Sequence, residues 1–145
     1  MRPLKNFDEF LKDGIIRKRT PDNRRANSLK EDAENRYKFV QQMEEKIKLT
    51  NENANMFIEN CYDILISLVR AKMIKDGFSS YGDGAHIAEV SYMRILEIPE
   101  RDVRFMNELR YFRNGIKYYG QKFDKEYAEK VLIFLNTIYK TLIKM

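Results

Sequence analysis

The side chains with the clearest chemical potential lie in one stretch of the chain, residues 110–120. Read as a helix, this stretch brings three cations and an amide onto one face, because they follow each other at steps of three and four residues: Arg110, Arg113, Asn114 and Lys117. Guanidinium and ammonium groups arranged in this way are suited to hold a phosphate, to which they donate charge-assisted hydrogen bonds. The same spacing is also typical of a solvated helix face, so the stretch alone leaves both interpretations open.

Tyrosines lie among these cations, at Tyr111, Tyr118 and Tyr119. In a nucleic-acid site the cations would neutralise phosphates and the aromatic rings would stack on bases. The pattern therefore predicts either a surface that binds nucleic acid or a charged face without a ligand. The helix also carries an apolar stripe that we expect to be buried: Phe105, Leu109, Phe112, Ile116 and Tyr119.

Other reactive side chains are scarce. Cys61, the single cysteine, lies in an apolar helical pattern, which predicts a small buried residue and excludes a disulfide within the chain. His86, the single histidine, follows a glycine-rich loop, and we expect a structural or solvated role for it. Neither residue has a carboxylate at ligand spacing, and no Lys-Ser/Thr pair follows Gly82–Gly84. The sequence therefore predicts no metal site, no cofactor and no P-loop.

Length and composition favour one soluble domain. At 145 residues the chain can bury a substantial core, and we expect a single domain over residues 1–145. The net charge of +5 favours polyanionic partners only slightly. No run approaches the roughly 18 apolar residues of a membrane span, and the first residues do not resemble a signal peptide. We therefore expect a cytoplasmic protein that does not associate with a membrane.

Helices must position these side chains, because apolar residues recur at helical spacing along the whole chain. No segment shows convincing strand alternation. The predicted fold is all-α: an up-and-down helical bundle of four to five long helices with a short N-terminal helix. The segment near residues 54–71 is apolar around much of its girth, so we place it at the centre. Predicted helices cover 7–16, 21–49, 51–76, 85–98, 100–118 and 124 onward, with Thr20 and Asp124 as N-caps and Gly77 and Gly120 at helix ends.

A second group of basic residues surrounds the start of the first long helix. A solvated surface is the simpler interpretation, and a second phosphate-contacting patch is the alternative. Its members are Arg17, Lys18, Arg19, Arg24 and Arg25.

Residues 113–118, Arg-Asn-Gly-Ile-Lys-Tyr, resemble the Arg-Asn-x-x-x-His motif of HEPN domains. The Leu-Arg-Tyr-Phe-Arg-Asn segment at 109–114 is typical of that helix, and the Gly-Phe-Ser-Ser-Tyr-Gly-Asp-Gly-Ala-His segment at 77–86 looks like the loop into the family's third helix. The long helix after Pro21 is similar to the family's first helix. The likeness covers about residues 8–143.

The resemblance implies a helical bundle that forms a two-fold dimer and often acts as a metal-independent endoribonuclease. It also implies a minimal nucleotidyltransferase as partner, in a toxin–antitoxin pair in which that partner can modify a tyrosine just beyond the motif. Carried onto this chain, the catalytic positions are Arg113, Asn114 and Tyr118. The neighbouring side chains would then bind RNA or phosphate: Arg110, Lys117 and Tyr119.

The chain departs from the family at Tyr118, which stands where the motif has histidine. A phenol, with an ordinary pKa near 10, is a poor general base at neutral pH, although it can orient a hydroxyl or donate to an oxyanion. The family's modifiable tyrosine corresponds to Gly120, so Tyr118 and Tyr119 are both out of register. Gly115 costs about 1 kcal/mol in a helix interior, which indicates either the close approach of a partner helix or a weak helix end.

Three functions stay open at this point. The preferred one is a HEPN-type dimer that binds RNA or a nucleotide, with its ribonuclease activity weakened or lost. The second is an active ribonuclease toxin that uses Tyr118 in place of histidine. The third is a non-catalytic interaction module that partners a minimal nucleotidyltransferase.

Overall fold

Six helices and one small sheet make up the fold in the computed structural model, which describes residues 1–145. Five longer helices follow a short N-terminal one, which confirms the predicted all-α bundle. In chain order the elements are α1 (Phe7–Lys12), β1 (Ile16–Lys18), α2 (Asn23–Lys46), α3 (Ala54–Lys75), β2 (Phe78–Ser80), α4 (Ala85–Ile95), α5 (Glu100–Tyr119) and α6 (Lys125–Leu142).

Helix α3 lies at the centre of the bundle, as its apolar pattern predicts. It packs against α2, α4, α5 and α6 and supplies a large share of the buried core, including the fully buried Cys61. Burial of each large aliphatic side chain contributes about 1.5–3 kcal/mol, so the apolar faces of α3 stabilise the arrangement of its neighbours. The polar side chains of α3, such as Asp63 and Arg70, are therefore held at junctions between helices.

The structure contains two strands where none was predicted. Ile16–Lys18 pairs with Phe78–Ser80 in antiparallel register, with Ile16 opposite Ser80. Each strand has three residues, which is too short for a two-residue alternation to be recognised. The helix predicted over 7–16 accordingly ends at Lys12, because Gly14, with a φ of +76°, turns the chain into β1.

Helix α2 begins at Asn23 rather than at Pro21. Its N-cap is Asp22, whose Oδ1 accepts a hydrogen bond from a first-turn N–H at 3.0 Å, so the prediction of Thr20 as the cap is wrong. The sheet explains the shift, because the N–H of Arg19 donates to the carbonyl of Gly77 at 2.7 Å and keeps the chain extended beyond β1.

Two helices end earlier than predicted. Helix α2 stops at Lys46, since Lys48 adopts a φ of +68°, and the apolar side chain of Ile47 is exposed just beyond the helix end. Helix α4 stops at Ile95, since Glu97 adopts a φ of +62°. Left-handed residues other than glycine end helices without a sequence signal that is easy to read.

The ends of the other helices agree with the sequence. Helix α3 ends just before Gly77, α5 ends at Gly120, and the Oδ1 of Asp124 accepts a hydrogen bond from the N–H of Tyr127 at 2.9 Å. The side chain of Asn55 donates a hydrogen bond to the carbonyl of Gln121 and accepts one from the N–H of Phe123. These two bonds connect the loop after α5 to the start of α3. None of the helices combines the length and apolar character that crossing a membrane requires.

Candidate phosphate-binding groove

A groove of about 300 Å³ lies where α5 meets the polar side chains of α2, α3 and α4. We call it the Arg113 groove. Arg113, Lys117 and Tyr118, all predicted site residues, line it. The complete lining is Asp32, Arg36, Asp63, Ile66, Ser67, Arg70, His86, Arg113, Lys117 and Tyr118.

Arg113 lies deepest among the cations of this groove, with 10% of its side chain exposed. Its Nη2 donates to Asp63 Oδ1 at 3.1 Å, and its guanidinium carbon lies 5.3 Å from the centre of the Tyr62 ring. Its Nε is buried and has no acceptor in the protein. A buried donor without a partner costs about 1–3 kcal/mol, so Arg113 is held by α3 while part of its hydrogen-bonding capacity is unused.

Lys117 and Tyr118 lie on the rim of the groove, near the C-terminal end of α5. The Nζ of Lys117 lies 5.6 Å from the centre of the Tyr118 ring, within the range of a cation–π contact. Tyr118 is 64% exposed, and no basic side chain forms a hydrogen bond with its hydroxyl. At this position Tyr118 is accessible to a ligand.

The remaining predicted site residues do not line the groove. The Nε of Arg110 donates to Asn107 Oδ1 at 3.2 Å, and burial lowers the pKa of the Arg110 guanidinium. Asn114 is half-buried outside the groove. Tyr119 is 81% exposed, so its assignment to the buried stripe is wrong. Tyr119 is the last residue of α5, where no neighbouring helix covers its side chain.

Gly115 is explained by this chain's own loop. A Cβ at Gly115 would collide with the side chain of Gln121, and the N–H of Gln121 donates to the Gly115 carbonyl at 3.1 Å. The close approach that the glycine indicates therefore comes from the turn after α5. A partner helix is not needed to account for this glycine.

Arg70 and Glu89 were not among the predicted site residues. Glu89, on α4, is fully buried and accepts hydrogen bonds from Arg70 Nε at 2.6 Å and Nη2 at 2.9 Å, and from Ser80 Oγ at 2.8 Å. The paired carboxylate raises the pKa of Arg70, which stays charged. Arg70 is one of several charged residues within α3, so the sequence neither distinguishes it nor identifies its partner.

His86 also lines the groove, although the sequence predicted only a structural or solvated role. Its Nδ1 lies 3.1 Å from Tyr62 Oη, and its Nε2 lies 3.4 Å from Arg70 Nη2. Burial lowers the pKa of His86, and the charges of Arg70 and Arg113 act in the same direction, whereas those of Glu89 and Asp63 oppose it. The neutral ring therefore predominates at pH 7. No pattern in the sequence predicts that His86 and Arg113 line the same groove.

A second cavity, of about 210 Å³, adjoins the first, and we call it the Ser80 cavity. Arg70 and His86 line both cavities, and Arg25, from the predicted second basic patch, lines the Ser80 cavity. Other members of that patch point elsewhere: the guanidinium carbons of Arg17 and Arg19 lie 4.6 and 5.2 Å from the centre of the Tyr81 ring.

Within the structure, no three His, Cys, Asp or Glu side chains come together in an arrangement that would hold a metal ion. Comparison with known proteins finds no matching family, no matching curated protein and no matching solved structure.

Proposed function

We propose that this chain is a HEPN-type helical domain that binds RNA or a nucleotide through phosphates in the Arg113 groove, with metal-independent endoribonuclease activity that is weakened or lost relative to members that carry the motif histidine. One observation carries the proposal: Arg113, at the position of the motif arginine, is buried in a groove where Lys117, Arg70 and Arg36 also converge. The sequence resemblance at residues 113–118 is the reason for proposing the HEPN family.

The charges of the groove favour an anion. Four cationic side chains line it against two carboxylates, Asp32 and Asp63. Asp63 accepts from a single N–H of Arg113, at 3.1 Å, so the guanidinium keeps hydrogen-bonding capacity that Asp63 does not use, although its Nε is buried. A phosphate can therefore bind beside Asp63 or replace it. Arg36 and Arg70 are paired with Asp32 and Glu89, so Lys117, which forms no ion pair, is the cation most open to the next phosphate along a chain.

The same proposal includes the assembly that the resemblance implies. In it, the chain is a cytoplasmic homodimer and the HEPN half of a toxin–antitoxin pair, with a minimal nucleotidyltransferase as its partner. Co-expression with the product of the neighbouring gene, followed by light scattering of the purified complex, tests this part. A monomer that recovers no nucleotidyltransferase contradicts the assembly without affecting the proposed ligand.

Binding of a fluorescent single-stranded RNA, measured by anisotropy, tests the groove. We expect Arg113→Ala to raise Kd about tenfold, which corresponds to about 1.4 kcal/mol. Lys117→Ala, at an exposed position, should raise Kd by a smaller factor without affecting the fold. Lys130→Ala is the matched control, because Lys130 is an exposed cation on α6 that lines neither cavity.

Salt provides an independent measure of the same contact. If about two phosphates are neutralised, log K should fall with log salt at a slope of about −1.4 for a single strand. Arg113→Ala should make that slope shallower, whereas Lys130→Ala should leave it unchanged. The proposal fails if the wild-type protein shows no salt-dependent RNA binding.

A further inference from the structure

The position of His86 suggests a chemical role that the motif itself does not provide. His86 and Arg70 line both the Arg113 groove and the Ser80 cavity, so they lie where the two spaces meet. A ligand that extends from one cavity into the other passes the imidazole.

Hydrogen bonding determines which nitrogen of His86 carries the proton. Arg70 has only donors, so His86 Nε2, 3.4 Å from Arg70 Nη2, carries the lone pair of the neutral ring and accepts from Arg70. This contact is longer than an ordinary N–H donor distance, so a ligand hydroxyl can displace it. Nδ1 then carries the proton and donates it to Tyr62 Oη at 3.1 Å. Tyr62 is fully buried, and burial raises its pKa, so its hydroxyl stays protonated and neutral. The tautomer therefore presents Nε2 as a proton acceptor beside two cavities.

The cations at the two ends indicate an extended ligand. Arg113 and Lys117 lie at one end, in the Arg113 groove, and Arg25 lies at the other, in the Ser80 cavity. A phosphodiester strand across both cavities would meet cations at each end and the imidazole between them. Among phosphodiesters, RNA carries its own nucleophile, since a 2′-hydroxyl stands next to each phosphate. A single proton acceptor at that point is sufficient to activate it.

We propose that His86 is the general base of this site and that its substrate is single-stranded RNA lying across both cavities; this inference rests on the proposed function. His86 Nε2 takes the proton of a 2′-hydroxyl, the O2′–P bond forms and the P–O5′ bond breaks. The departing 5′-oxygen takes a proton from water, and the hydroxide produced is neutralised by the proton on His86. The products are a 2′,3′-cyclic phosphate and a 5′-hydroxyl, with no net oxidation or reduction.

The test uses the full chain and a short, 5′-labelled single-stranded RNA. The decisive variant is His86→Asn, because the amide nitrogen of asparagine can replace Nδ1 in the hydrogen bond to Tyr62 while the acceptor at Nε2 is lost. We expect cleavage to fall about 100-fold or more in this variant, with Kd for RNA within about threefold of wild type. Lys130→Ala should cleave as wild type does, and the same strand with deoxyribose throughout should be bound but not cleaved.

The outcomes separate this inference from the proposed function, because binding and cleavage are measured independently. Absence of RNA binding overturns both. RNA that is bound by saturating wild-type protein but stays intact overturns the role of His86 alone. So does wild-type cleavage by a folded His86→Asn protein, or cleavage that survives in His86→Asn and disappears in Tyr118→Phe. Products other than a cyclic phosphate and a 5′-hydroxyl also overturn it.

Discussion

Burial gives Arg113 and His86 properties that their residue types alone do not predict. Arg113 is held by one contact to Asp63 and by the Tyr62 ring, so its guanidinium lies in place before any ligand arrives. Because this side chain is already ordered, it loses less conformational entropy on binding a ligand than an exposed arginine does. Burial lowers the pKa of His86 and so favours its neutral form. The two residues together provide a cation and a proton acceptor at one place.

The lowered pKa of His86 predicts a pH dependence of stability. Because the folded pKa lies below the ordinary value near 6.5, the unfolded chain binds this proton more readily. The contribution of neutral His86 to the free energy of unfolding is present above about pH 6.5. It is lost as the pH falls from there through the pKa of the folded state. The free energy of unfolding in urea should therefore fall more steeply below about pH 6.5 for wild type than for His86→Asn.

The comparison with His86→Asn removes the titration of groups that both proteins share. Equal pH profiles would show that the folded protein does not disfavour the imidazolium form. Charged and titratable groups surround the ring on every element packed against it. They are Tyr62, Asp63 and Arg70 on α3, Glu89 on α4, Arg113, Lys117 and Tyr118 on α5, and Arg25, Asp32 and Arg36 on α2.

At the scale of elements, the contact among Glu89, Arg70 and Ser80 joins α4, α3 and β2. Glu89 is fully buried, and 24% of the Arg70 side chain is exposed. Removing one partner of a buried ion pair costs about 3–5 kcal/mol, because the other charge is left without compensation. We expect Glu89→Ala to destabilise the fold by about that amount in chemical denaturation.

The matched control for this prediction is Asp32→Ala. Asp32 pairs with Arg36 at 2.9 Å, but about half of each side chain is exposed. An exposed pair contributes about 0–1 kcal/mol, so this substitution should hardly change stability. If Glu89→Ala were no more destabilising than Asp32→Ala, α3, α4 and β2 would not depend on the buried contact.

The same elements show where sequence patterns succeed and fail. Helical periodicity located all the helices, because it depends on neighbours three and four residues apart. The β1–β2 pair was missed, since its pairing joins Ile16 to Ser80 and leaves only three-residue segments as a signal. That pairing also moved the start of α2 from Pro21 to Asn23. Long-range hydrogen bonds thus changed boundaries that local preferences had placed elsewhere.

At the scale of the whole molecule, Cys61 provides a probe of global unfolding. Its side chain is fully buried in α3 at the centre of the core, and burial raises the pKa of its thiol. Only the thiolate reacts with disulfide reagents, so the native protein should react very slowly. We expect labelling by an aromatic disulfide reagent to increase with urea in parallel with loss of helical circular dichroism. Rapid stoichiometric labelling of the native protein would contradict this prediction.

The sequence by itself determined the all-α class, the order of the helices, the central place of α3 and the grouping of Arg113 with Lys117 on one helix. Each of these follows from the spacing of side chains within a single helix. Only the tertiary structure brought His86 and Arg70 to Arg113, and left Arg110, Asn114 and Tyr119 outside the groove. The physical reason is that this groove is formed by α2, α3, α4 and α5 together. The packing of their buried faces decides which polar side chains meet, and that packing is not encoded in the periodicity of any one helix.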